Sequence, residues 1–212
     1  MSIKNKRDIL SFKIITLGES GVGKTSILLR FHSNQFKSNS ESTTGLSFSY
    51  KNIILKNKEE IELKLIDTGG QEKYRALAKS YFKNSDGVFF VYAKDNLDSF
   101  KNIKEWVMLF NENHNGKEGI PQILVESKGD LKRIVDEKLS EDFAKENNMP
   151  IIKTSAKNND SINELFEKMA ELLYDNYMKF NNKDLEQKKI NFGNKNTKKT
   201  NCCMVTNDLN NE

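Results

Sequence analysis

Gly18-Glu19-Ser20-Gly21-Val22-Gly23-Lys24-Thr25 satisfies in full the spacing G-x-x-x-x-G-K-[ST], whose chemistry is the cradling of a nucleoside triphosphate. Gly18, Gly21 and Gly23 let the loop take positive φ and bring backbone N–H groups against phosphate oxygens. Lys24 supplies a point charge for the β and γ oxygens, and Thr25 a hydroxyl for Mg²⁺. Ser26 opens a helical run whose N-terminus adds partial positive charge. Further along, Asp67-Thr68-Gly69-Gly70-Gln71 offers a carboxylate for a metal-bound water, a glycine N–H for the γ-phosphate and an amide that could orient attacking water. Ser127-Lys128-Gly129-Asp130 and Thr154-Ser155-Ala156-Lys157 each follow a short apolar run. By itself the phosphate loop fits an ATPase, a metabolic kinase or a GTPase, so these downstream segments must decide. His32 and His114 are isolated, which leaves no histidine-based zinc cluster or catalytic triad to be built.

The elements that would position these residues follow from hydrophobic periodicity. Phe12 to Leu17 reads as a strand and Ser26 to Phe31 as a helix, the context the phosphate loop requires. Ile53 to Leu55 and Ile61 to Ile66 flank the turn Asn57-Lys58-Glu59 and predict a hairpin. Val88 to Tyr92, Ile123 to Val125 and Ile151-Ile152 are the continuous apolar runs of strands buried on both faces of a parallel sheet. Between them, Phe100, Ile103, Val107 and Phe110 keep helical spacing, as do Ile162, Leu165, Phe166, Met169, Leu172 and Leu173, with Ser161 and Glu164 placed as a capping box. Such alternation predicts an α/β fold, a mostly parallel doubly wound sheet whose ligand lies at the carboxyl ends of the strands.

A chain of 212 residues, 36% of them apolar, suits one such domain. We expect an N-terminal extension over 1–9, the domain over 10–180 and a disordered Asn/Lys-rich tail over 181–212. The net charge of +4 is mild and the charges are interspersed, so no nucleic-acid partner is called for. The first residues carry no apolar signal region, Ser2 excludes the myristoylation pattern, and no apolar run reaches the length of a membrane span. Cys202 and Cys203, adjacent and near the end, exclude a disulfide framework and fit a reducing cytosol.

From Phe12 to Tyr177 the chain resembles the Ras superfamily of small GTPases, and within it the Rab family. The order of segments carries the likeness: phosphate loop, a Thr-bearing switch, D-T-x-G-Q, K-x-D, then S-A-K. Ser20, the run Ser42-Thr43-Thr44-Gly45-Leu46-Ser47-Phe48, and Gln71-Glu72-Lys73-Tyr74-Arg75 leading to Ser80-Tyr81-Phe82 give the Rab character. The resemblance implies a P-loop GTPase domain with a six-stranded, mostly parallel sheet and helices on both faces. It implies that GTP or GDP is held by residues 18–26, with Phe36 packed on guanine, Thr43 and Gly70 at the γ-phosphate, and Ser127, Lys128, Asp130, Ser155, Ala156 and Lys157 around the base. Thr25, Thr43 and Asp67 would hold Mg²⁺, the one metal expected, and Lys24, Thr43 and Gln71 would serve hydrolysis. Asp130 would accept from guanine N1–H and its exocyclic amine, while Ala156 N–H would reach O6; adenine would leave Asp130 facing a ring acceptor.

Effectors, an exchange factor and an activating protein are expected on residues 38–48 and 67–82, with Phe48, Ile66 and Tyr81 as an apolar patch. Hydrolysis is expected to be slow, with a stabilising arginine supplied in trans, and the role to be vesicle trafficking. Several positions depart from the pattern. Ser127 stands for the usual Asn, Ile66 for a tryptophan, Ser40 for an aromatic and Gly69 for an alanine, and Ala93-Lys94 precedes Asp95 where an acidic pattern is common. A serine makes one hydrogen bond where the amide bridges two groups. Cys202 and Cys203 are the lipidation candidates, and Met204 to Glu212 after them count against ordinary double prenylation. Two readings result: a cycling cytoplasmic switch with peripheral association on cytosolic membrane faces, or a divergent GTP-binding scaffold that rarely cycles and lacks ordinary prenyl anchoring.

Overall fold

The computed structural model describes residues 9–38, 43, 46–69, 81–114 and 119–193. Its strands are β1 (Leu10–Leu17), β2 (Leu46–Ile54), β3 (Glu60–Thr68), β4 (Gly87–Ala93), β5 (Gln122–Ser127) and β6 (Ile151–Lys153). They form one six-stranded sheet in the order β2-β3-β1-β4-β5-β6. Only β2 and β3 pair antiparallel, as the predicted hairpin, and every other neighbour is parallel. The chain leaves β1 in the middle and continues first to one side and then to the other, which makes the carboxyl end of β1 a crevice for ligand.

The helices are α1 (Lys24–Ser33), α2 (Leu97–Lys101), α3 (Ile103–Asn113), α4 (Glu137–Glu146) and α5 (Ile162–Gly193). Successive residues of a strand point to opposite faces, and β4 uses both. Phe89 meets Phe166 of α5 edge-on with ring centroids 5.3 Å apart, whereas Phe90 meets Phe110 of α3 at 5.9 Å. Phe31 of α1 stacks on Phe166 at 3.7 Å, so α1 and α5 share one face. On the other, Trp106, Phe110 and Phe82 close over Ile15, Val88 and Phe90. Each such fully buried side chain contributes roughly 1.5–3 kcal/mol of transfer free energy.

Three local expectations are corrected. The spacing from Phe100 to Phe110 predicts one helix, but Asn102 (φ −74°, ψ −10°) separates α2 from α3, and Asn96 caps α2 by accepting from Ser99 N at 3.0 Å. Ser161 lies at φ 50°, in the left-handed region, so it lacks the extended backbone that a capping box needs before α5. Of the tail expected over 181–212, the part up to Gly193 is helical, and 194–212 lie outside the described residues. Its apolar period stops near Phe180, yet Lys183-Asp184-Leu185-Glu186-Gln187-Lys188-Lys189 contains mainly good helix formers and no glycine or proline until Gly193. The chain divides into a unit Met1–Asn176, which holds the sheet, and a unit Tyr177–Glu212.

Candidate nucleotide site

The phosphate loop leaves β1 and enters α1 through three left-handed glycines, Gly18 (φ 146°), Gly21 (φ 73°) and Gly23 (φ 98°). Gly18 admits no side chain: a Cβ there would lie 2.1 Å from the Val91 carbonyl oxygen of β4. Lys24 turns back under the loop, buried, and donates to the carbonyls of Gly18 (2.9 Å) and Glu19 (2.8 Å). Burial pushes its ammonium down to about 8, against the opposing pull of the Asp67 and Glu19 carboxylates. A cation held this way is poised for phosphate oxygens that would restore its full charge.

Beside it, Thr25 Oγ1 lies 2.6 Å from Thr43 Oγ1 and donates to Asp67 Oδ2 at 2.7 Å. Asp67 sits at the end of β3, and its other oxygen, Oδ1, is buried with no hydrogen-bond partner. Burial raises the carboxyl above its usual range, partly offset by the Thr25 bond and the Lys24 charge. One carboxylate with an orphaned oxygen and two hydroxyls is a hard, oxygen-only donor set. It suits a small divalent cation that keeps several waters and takes further ligands from phosphates.

Across a cavity of about 430 Å³ lie the residues after β5 and β6. Asp130 accepts from Ser155 Oγ at 2.7 Å and pairs with Lys157 at 3.8 Å, which fixes its carboxylate on the cavity wall. Lys128 takes φ 56° and pairs with Asp95 at 3.7 Å. Gly129 N–H donates to Thr154 O at 2.8 Å, tying the two loops together, and a Cβ on Gly129 would crowd that oxygen at 3.1 Å. Of the expected site residues, Ser20, Gly21, Gly23, Lys24, Thr25, Ser26, Phe36, Thr43, Lys128, Asp130, Ala156, Lys157 and Ser127 line the cavity. Gly18, Glu19, Val22, Asp67 and Ser155 stand behind them and orient them through the contacts above and below. Gly70, Gln71, Ser40, Cys202 and Cys203 lie outside the described residues.

Ser127 spans more than expected of a serine. Its hydroxyl lies within hydrogen-bond reach of the Val22 carbonyl of the phosphate loop and, at 2.9 Å, of Tyr92 O at the end of β4. One proton must be shared between two buried acceptors. Ile66 departs from the predicted surface patch. Paired in register with Phe48, it is fully buried in the core with Phe82 and Phe90, and only Phe48 (45% exposed) and the half-buried Tyr81 meet at the surface, ring centroids 5.8 Å apart.

Residues without a motif also shape the site. Trp106 of α3 donates its indole N–H to Glu19 at 3.0 Å, bracing the phosphate loop. Lys94 donates to Gly129 O at 2.9 Å and so holds the loop carrying Lys128 and Asp130. Glu126, buried beside Ser127, accepts two bonds from Arg133 (2.7 and 2.8 Å) and one from Tyr92 (2.7 Å), whose phenol burial pushes up. Arg30 bonds the carbonyls of Ala156 and Lys157. Adjacency to a motif could have flagged Lys94 and Glu126; nothing local marks Arg30 or Trp106.

A glycine-rich phosphate loop and a fixed carboxylate across the cavity, at the carboxyl edge of a doubly wound sheet, are the arrangement of a phosphate-loop GTPase. A family model described as "Ras family" matches residues 13–175, and the chain belongs to that family. It is Rab-like: "Ras-related protein SEC4" of Saccharomyces cerevisiae is 34% identical over 197 residues, covering 90% of this chain and 90% of the relative. "Ras-related protein Rab-1C" and "Ras-related protein Rab-11B" of Dictyostelium discoideum are 40% and 37% identical, covering 74% and 87% of this chain and 78% and 83% of the relatives. Family membership carries GTP binding and GTP hydrolysis.

Proposed function

We propose that this protein is a GTP/GDP switch of Rab type that controls vesicle trafficking through effectors bound in its GTP state, hydrolysing GTP slowly unless an activating protein assists. The observation that carries the reading is the convergence of Lys24, Thr25 and Thr43, with Asp67 bonded behind Thr25, at one end of a cavity that Lys128, Asp130 and Ala156 line at the other. Lys24 and the loop amides neutralise the β and γ oxygens, and Asp130 selects guanine. Thr25, Thr43 and Asp67 would hold Mg²⁺, which would supply positive charge for the phosphate oxygens. Gln71 orients the attacking water, and Gly70 and Thr43 report the γ-phosphate to the segments that partners contact. The protein works in the cytoplasm and on cytosolic membrane faces through its tail; among the described residues no helix is long and apolar enough to cross a membrane.

Single-turnover hydrolysis separates this reading from a GTP-binding scaffold. We expect the wild-type chain to hydrolyse bound GTP, and an activating protein to accelerate it by about 10³–10⁵, the range for small GTPases. Gln71→Leu should abolish the acceleration and leave GTP affinity unchanged, because a residue that only orients water contributes to the transition state and not to the ground state. A wild-type chain that no activating protein accelerates and that hydrolyses GTP no faster than Gln71→Leu would place the chain in the scaffold class, whereas a Gln71→Leu protein accelerated like wild type would remove Gln71 from the water-orienting role.

A further inference from the structure

Arg30 stands in the last turn of α1, the helix that begins at the phosphate loop, yet its guanidinium faces the opposite end of the cavity. Nε donates to Ala156 O at 2.7 Å and Nη2 to Lys157 O at 3.2 Å. Nη1 donates to the carbonyl and the side-chain oxygen of Asn34, at 2.8 and 3.2 Å, and the guanidinium carbon lies 6.0 Å from the ring centroid of Phe36. Asn34 is itself strained into the left-handed region at φ 55°, with its N–H returned to Arg30 O. One planar fork thus joins three pieces of chain: the end of α1, the turn leading to Phe36, and the loop after β6.

From these contacts we infer that Arg30 is a positioning residue for base recognition. The next carbonyl upstream, Ser155 O, is also engaged, accepting from Asp160 N at 2.9 Å. Three successive carbonyls are therefore fixed by donors of the protein, which holds one conformation of the loop where Ala156 and Lys157 line the cavity wall. Without Arg30 two of those carbonyls lose their donors, the loop is free to rotate its amides, and the wall formed by Phe36 loses its tie to the loop opposite. A lysine cannot replace it, because a point charge with rotatable donors does not span two carbonyls and Asn34 at once. The inference rests on the guanine-site reading given above and extends it to a residue that touches no base.

The test uses the full chain with R30Q and R30K, a fluorescent GDP analogue for release rates, and competition by GDP and ADP. We expect R30Q to release GDP about tenfold faster, the worth of about one net charge-assisted hydrogen bond. The preference for GDP over ADP should narrow by a similar factor, R30K should not restore it, and the acceleration of release by EDTA should stay as in wild type, since the metal corner is untouched. Release from both variants at the wild-type rate overturns the inference. So does an equal loss of GDP and ADP affinity, which would make Arg30 a packing residue only. Should R30Q fail to fold, R30K decides by the same criteria. If the wild-type chain itself fails to prefer GDP over ADP, the guanine-site reading fails instead.

Discussion

Ser127 couples the phosphate half of the site to the base half with a single hydroxyl, because Val22 O belongs to the phosphate loop and Ser127 itself precedes Lys128 and Asp130. Its single proton serves one of two buried carbonyls at a time. Ser127→Asn would supply two amide protons in place of one and should slow GDP release about fivefold, the worth of one net hydrogen bond of about 1 kcal/mol. Ser127→Ala should speed release by at least as much, because both carbonyls then lack this donor; a fluorescent GDP chase reads both, and unchanged rates would show that the coupling runs elsewhere. What could be read from sequence at this scale follows from distance along the chain. Lys24 and Thr25 are fixed by the glycines beside them, and their spacing is the signal. Arg30 is helical, polar and unremarkable in its neighbourhood, and its acceptors are backbone carbonyls that carry no side-chain signature. Ile66 misled in the other direction, since its register partner Phe48 is exposed while core residues cover Ile66 itself.

The loop that leaves β5 must present Lys128 and Asp130 without a helix or strand to stiffen it, and the Glu126, Arg133 and Tyr92 network supplies the stiffness. Arg133 also donates to Val135 O at 3.2 Å, so the brace closes the loop from both ends. The two ends of the ion pair differ in exposure. Glu126 is 1% exposed and the Arg133 side chain 28%. Removing Arg133 strands a buried carboxylate with Tyr92 as its remaining partner in this network, whereas removing the Glu126 charge leaves a guanidinium that can turn to water. Arg133→Met should therefore cost about 3–5 kcal/mol of stability and Glu126→Gln appreciably less. Urea unfolding midpoints at constant m-value measure the difference; equal costs would mean the buried carboxylate is satisfied by other groups. The strands and their order were legible because continuous apolar runs declare a two-sided sheet. The helical continuation to Gly193 was not, because an amphipathic period ends where packing ends, while helix propensity alone continues the backbone.

At the scale of the molecule, the site is assembled from the ends of β1, β3, β5 and β6, which meet only in the folded unit Met1–Asn176. A ligand that spans the cavity binds the native state and has nothing comparable in the unfolded chain, so its binding free energy adds to stability. GDP with Mg²⁺ at a thousandfold excess over its dissociation constant should add about 4.1 kcal/mol. For a chain of this size that is a rise in Tm of roughly 8–16 °C. The metal corner sharpens the expectation, since Asp67 Oδ1 and the Lys24 ammonium are costly burials that the cation and the phosphates would satisfy together. EDTA should accordingly remove much of the rise, and Thr25→Ala, which deletes the hydroxyl bonded to both Thr43 and Asp67, should make the protein insensitive to EDTA by weakening the same corner in advance. ADP at the same concentration should leave Tm near that of the nucleotide-free protein, because Asp130 and the Ala156 amide then face the wrong ring atoms. A thermal scan with the two diphosphates, each with and without EDTA, measures all of this, and an ADP shift equal to that of GDP would show that the cavity reads phosphates alone.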